Sequence, residues 1–174
     1  MKKSVKRLTL YAILISIALA LSVAEGAITA AFMPLPGVKL GLANIITLFA
    51  LYFIGLPGAA VILILRCLLA SLFGGGVVAL MMSLSGGLLA LFPMALTRRM
   101  RGVTLIGVSV AGAAMHGVGQ IAAAMLILSN SGVIFYLPIL LISGVFTGAI
   151  IGVVATFLFA RLRRVSSVIN YFGD

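Results

Sequence analysis

The side chains in this sequence that could bind or react are few and unevenly placed. Arg66 lies inside one apolar run, His116 and Gln120 stand four residues apart in another, and Ser83 and Ser85 belong to a third. Asn44 follows a Pro- and Gly-broken stretch, Pro34 to Gly41, that also carries Lys39, and Glu25 lies near the end of the first apolar run. A guanidinium in an apolar segment faces a bundle interior or a cavity and takes a partner. For Arg66 that partner is either Glu25, as a structural ion pair, or a ligand. The four-residue spacing stacks His116 and Gln120 on one helical face, with Gly112 and Gly119 leaving room beside them. The pair is then either a satisfied core element or part of a binding surface. Asn44 likewise needs a protein neighbour or a ligand, because an unpaired amide is costly away from water. Ser83 and Ser85 have a further option, returning their hydroxyls to carbonyls of their own helix.

Enzymatic readings lack parts. The acidic side chains are Glu25 and Asp174, so no Ser/His/Asp arrangement can form. There is no glycine-rich phosphate loop ending in Lys and Ser or Thr. One histidine and one cysteine, Cys67, do not make a metal site. The expectation is a chain without catalytic residues, metal or cofactor.

These residues sit in a strongly apolar chain. Of 174 residues 64% are hydrophobic and 8% charged, with a mean hydropathy of +1.38, far from the soluble average of roughly one quarter charged. Apolar runs near twenty residues, broken by short Gly-, Pro- or Arg-marked turns, predict an all-α integral membrane bundle rather than an outer-membrane barrel. The expected spans run from about Leu8 to Ile28, Gly41 to Phe53, Ala59 to Phe73, Val77 to Leu96, Val103 to Leu128 and Phe135 to Ala160. The second is short. Turns are expected at Leu56 to Gly58 and Ser129 to Gly132, with a flexible loop at Gly74 to Gly76 and a bend at Pro93. All six spans form one domain over residues 1–174.

The net charge of +10 would suggest nucleic acid in a soluble protein. Here ten of the twelve basic residues fall in three clusters, Lys2 to Arg7, Arg98 to Arg101 and Arg161 to Arg164, each abutting an apolar run. The positive-inside rule accounts for them without nucleic acid and places both termini in the cytoplasm, as expected for a multi-pass protein of the cell membrane in contact with the bilayer. The basic start and apolar Leu8 to Val23 resemble a signal peptide. The run exceeds the usual 7 to 15 residues or so of such segments, and it is read as the first span.

On this topology, counting about 1.5 Å per residue, Glu25, Asn44, Arg66, Ser83, Ser85, His116 and Gln120 fall in the outer half of the bilayer or near its midplane, below Lys39. No comparable set occupies the inner half. A continuous pore would need polar lining throughout, so the asymmetry favours a pocket open to the outside. Along the first span, Ala12, Ser16, Ala20 and Ala24 recur every fourth residue. Such a stripe lets another helix approach closely, either within this bundle or from a partner.

PGVKLGLAN at Pro36 to Asn44, Arg66, SLSGG at Ser83 to Gly87 and the His116/Gln120 pair together resemble the Gx transporter family, also labelled heptaprenyl diphosphate synthase component I. Its members look like substrate-binding S components of energy-coupling-factor (ECF) transporters. The resemblance implies a subunit that captures a small molecule, vitamin-like or flavin-like and possibly anionic, at Lys39, Asn44, Arg66, Ser83, Ser85, His116 and Gln120. Lys39 and Arg66 would be counter-ions. It implies docking through Ala12, Ser16 and Ala20 to a coupling transmembrane subunit that works with two ATPases. The segment between spans 1 and 2 and the Gly74 to Gly76 loop would gate the pocket. The synthase label implies an alternative: a non-catalytic membrane partner of a polyprenyl diphosphate synthase, or a binder of a prenyl or quinone precursor. Prenyl elongation itself needs clustered carboxylates to hold magnesium, and this chain has none.

Overall fold

A computed structural model describes residues 3–32 and 39–164. Pro34, Pro36 and Gly37, most of the first expected gate and the end of the C-terminal basic cluster lie outside the described residues or side chains. The fold is all-α. Its helices are α1 (Lys3–Phe32), α2 (Asn44–Phe53), α3 (Leu56–Ala70), α4 (Gly76–Thr97), α5 (Leu105–Leu128) and α6 (Leu137–Arg164). Five segments are long and apolar enough to cross a membrane. Their outer faces carry large apolar side chains such as Leu72, Phe92, Leu126, Phe146 and Phe157, all exposed, as a lipid-facing surface requires.

The exception is α2. Its 10 residues rise about 15 Å, half of a hydrocarbon core of roughly 30 Å. Its C-terminal turn packs beside the ends of α4 and α6, where Phe159 meets the rings of Phe49, Tyr52 and Phe53 at 5.8, 5.6 and 4.9 Å. Arg98, just past α4, donates to the Leu51 carbonyl and lies 5.7 Å from the Tyr52 ring centroid. That carbonyl is one of the last four of α2, which no residue of the helix itself can satisfy. The C-terminus of α2 therefore lies at the basic end of the bundle, and its N-terminus opens near mid-depth.

Three boundaries differ from expectation. The turn expected at Leu56 to Gly58 lies at Gly55, and Leu56 already begins α3, with Pro57 in the first turn where its missing N–H costs nothing. Gly58 lies within α3, and a side chain there would collide with Tyr11 and Ile54, so the close approach of α1 requires glycine at this position. The Gly74 to Gly76 loop is instead a π-helical turn, Ser71–Gly75, closed by the Gly76 N–H on the Ser71 carbonyl. Gly76, at φ +67, supplies the left-handed break from which α4 departs. The last connection is a short 3₁₀ segment, Ser131–Tyr136, whose start is capped by the Asn130 side chain on Gly132 N–H at 2.8 Å.

The central helix is α5, seamed to α4 on one side and α6 on the other. On α6, Gly144, Gly148 and Gly152 face it so closely that an added Cβ would lie 3.1 Å from the Ala113 carbonyl, 2.9 Å from Val110 Cα and 2.5 Å from Ile106 Cα. That four-residue glycine stripe is the internal packing stripe of the bundle. The α1 stripe is not: Ala12, Ser16, Ala20 and Ala24 are all exposed, while Leu14, Ala18, Ser22, Glu25 and Thr29 form the inward face. Two apolar clusters result, a large one at the basic end, including Leu48, Phe49, Ile62, Met94 and Phe159, and a smaller one at the other, including Met82, Ile121, Val133 and Leu140.

A candidate binding site between the apolar clusters

Polar side chains gather between these two clusters. The segment before α2 is held there by α1. Glu25, only 1% exposed, accepts from the backbone N–H of Gly41 and, at 3.1 Å, of Leu42 through the same oxygen. A carboxylate at this position suits the positive end of the α2 dipole. Gly41, at φ +90, makes the turn into the helix, and its carbonyl accepts from Asn44 N–H at 2.9 Å. Partial burial lowers the Lys39 ammonium from its ordinary basicity, and the Glu25 carboxylate opposes that shift.

Arg66 reaches the cluster from α3 and is 3% exposed. Its two terminal nitrogens donate to Ser22 Oγ at 2.9 Å and Asn44 Oδ1 at 3.2 Å. The ion pair with Glu25 is thus not formed; each charged group has other partners. From α5, His116 and Gln120 present the stacked face that their spacing predicts, and both are buried. His116 lies between Gly41 and Gly86: its ring atoms stand 3.5 Å from a would-be Cβ on the first and 2.9 Å from one on the second. Gln120 Oε1 accepts from the Lys39 backbone N–H at 3.4 Å, tying α5 to the segment before α2.

The structure brings Asn44, Arg66, His116 and Gln120 together, with the Lys39 backbone at their edge, and buries Ser83 on α4 about one turn before the Gly86 that packs on His116 and Gln120. Ser85 differs from them in its bonding. Its hydroxyl approaches the Met82 carbonyl at 3.1 Å and the Gly119 carbonyl across the seam at 2.9 Å, so it fastens α4 to α5. Ser22 and the latch formed by Glu25 were not anticipated. The signal was present in the alternate face of α1, where Ser22 and Glu25 continue the Leu14, Ala18 register at helical spacing.

What distinguishes the cluster is its surplus. Among the described residues, Asn44 Nδ2, Thr47 Oγ1, Arg66 Nε, Ser83 Oγ and Gln120 Nε2 are buried without a hydrogen-bond partner, and the two His116 ring nitrogens have none beyond a loose approach to the Gly86 backbone. Native interiors leave few such groups, since each costs about 1 to 3 kcal/mol. Seven such atoms on six residues are left over in this one bundle.

Fold and site together define a polytopic helical membrane protein with a buried polar nest in its interior. The family described as heptaprenyl diphosphate synthase component I matches residues 14–158, from α1 into α6, and the chain belongs to that family. No curated protein and no solved structure matches it.

Proposed function

We propose that this chain is the substrate-binding membrane subunit, or S component, of an ECF-type importer, and that it captures a small organic molecule in the nest between α2, α3, α4 and α5. The unpartnered polar atoms around Arg66, Asn44, His116 and Gln120 carry this reading, because a ligand would satisfy groups that the protein leaves bare. Their restriction to one part of the bundle, with an apolar, aromatic-rich core at the basic end, suits a pocket with one entrance rather than a pore. Energy would come from a coupling transmembrane subunit and two ATPases, approached through the outward Ala12, Ser16 and Ala20 stripe. The test is to purify the chain from its native membrane and identify any co-purifying small molecule. Asn44→Ala, Arg66→Ala and His116→Ala should each weaken its retention by about 1 to 3 kcal/mol. Three variants that bind as the native chain does would refute the site.

The family's printed description favours a second reading, a membrane partner of a polyprenyl diphosphate synthase or a binder of a prenyl or quinone precursor. With Glu25 latched to backbone and Asp174 as the other acid, the carboxylates of prenyl transfer would belong to the partner. Stable co-purification with a soluble, Asp-rich synthase, together with unchanged uptake in a deletion strain, would select this reading.

A further inference from the structure

Resting on the reading of the nest as a ligand site, we infer that its ligand is an organic anion rich in hydrogen-bond acceptors, with Arg66 as counter-ion. The evidence is the direction in which the protein has already turned its own polar groups. An amide side chain offers an oxygen that accepts and a nitrogen that donates. Asn44 Oδ1 is taken by Arg66 and Gln120 Oε1 by the Lys39 backbone N–H. Both contacts come from groups that can only donate, so they set the amide orientations. Both amides are therefore left with the NH₂ end bare. Arg66 gives one N–H of each terminal nitrogen to Ser22 and Asn44 and leaves Nε, again a donor, with no partner at all. Of the remaining bare groups, a neutral His116 can give one hydrogen bond and take one, and the Ser83 and Thr47 hydroxyls can do either. Asn44 Nδ2, Arg66 Nε and Gln120 Nε2 can only donate, whereas the one bare atom limited to accepting is the unprotonated nitrogen of a neutral His116. A ligand rich in donors, such as a polyamine, finds that single dedicated acceptor.

Charge points the same way. The groups to which Arg66 donates are neutral, and Glu25, the one carboxylate among the described residues, lies within electrostatic reach of both Arg66 and Lys39, so two cations stand against one anion. A buried cation in excess is costly in a low dielectric. A carboxylate or phosphate oxygen at Nε would supply the balancing anion, and further acceptors would meet Asn44 Nδ2 and Gln120 Nε2.

The full chain is extracted with its surrounding lipid in polymer discs, and molecules released on denaturation are identified by mass spectrometry in both ion polarities. The expected result is an acidic molecule held by the native chain and by Arg101→Gln, which removes an exposed cation at the basic end. Asn44→Asp and Gln120→Glu should each lower its occupancy about tenfold or more. Asn44→Asp keeps the oxygen that Arg66 holds and neutralises the guanidinium from within. Gln120→Glu keeps the oxygen facing Lys39 and replaces the donor by an acceptor. The thermal transition of each variant is recorded, and if one has lost its fold the other decides. Partition of the released molecule into an organic or an aqueous phase tells a lipid-borne phosphate from a water-soluble carboxylate, and either supports the inference. A cationic or neutral molecule, or an acidic one retained in the folded variants, overturns the inference and leaves capture standing. A native chain that releases nothing beyond what Asn44→Ala, Arg66→Ala and His116→Ala also release overturns both.

Discussion

The two ends of α2 inhabit opposite chemistries. At its C-terminus the helix presses Phe49, Tyr52 and Phe53 against Phe159, and Arg98 satisfies a terminal carbonyl. At its N-terminus Glu25 holds the incoming backbone, Arg66 holds Asn44, and neighbouring polar atoms stay bare. Glu25 at the start and Arg98 at the finish carry the charges that suit the helix dipole, whereas Arg66, also at the start, opposes it. The lesson is that one half of the bundle is complete in itself and the other is not. A half-length helix produces this division, since its N-terminus must end inside the protein, where groups that water would otherwise satisfy need partners.

The largest effect that would break this contrast is expected at Glu25. Glu25→Ala strips the Gly41 and Leu42 N–H groups of their acceptor in a buried setting, at a cost of about 3 to 5 kcal/mol. Thermal unfolding in detergent should fall steeply, and ligand retention should fall with it because Asn44 loses its placement. An unfolding midpoint equal to the native value would mean that Glu25 does not anchor α2. Phe159→Ala probes the other end and should cost less, about 2 kcal/mol. Lipid tails are as apolar as the core, so the transfer contribution is small and the cavity remains. Here retention per folded molecule should be unchanged. If Phe159→Ala abolished retention, the two halves would not be separable.

Ser85→Ala sharpens the line between fastening and binding. The variant loses a hydroxyl shared between Met82 and the α5 backbone, worth about 1 kcal/mol, and should leave retention untouched. Loss of retention at full stability would return Ser85 to the ligand set that its position in the sequence first suggested.

The sequence was legible where chemistry depends on depth and helical phase. Arg66, Asn44 and the His116/Gln120 pair are rare polar groups in long apolar runs, and such groups turn inward whatever their eventual partners. Partner choice was less legible. Glu25 and Arg66 are the natural ion pair on paper, yet the unmet N–H groups at the entry to α2 claim the carboxylate, and their demand exists only once Gly41 has turned the chain. The Gly74 to Gly76 run reads as a loop, but a π-turn followed by one left-handed glycine uses the same residues while keeping more of their backbone hydrogen-bonded. Four-residue stripes were equally ambiguous. Those on α1 and α6 obey the same spacing rule, and nothing local says that Gly144, Gly148 and Gly152 pack inside while Ala12, Ser16 and Ala20 face out.

That last difference yields the smallest expected effect on the chain alone. Ala20 is exposed on α1, so Ala20→Leu meets no neighbour within the bundle and should leave stability within about 0.5 kcal/mol of native. Ligand retention should also persist, because the stripe and the nest lie on opposite faces of α1. If a coupling subunit approaches along Ala12, Ser16 and Ala20, the larger side chain would hold the two helices apart and prevent co-purification of the subunit and its ATPases. A variant that still assembles would show that this surface meets lipid alone. One that unfolds instead would place Ala20 inside the bundle, against the inward register that Ser22 and Glu25 define.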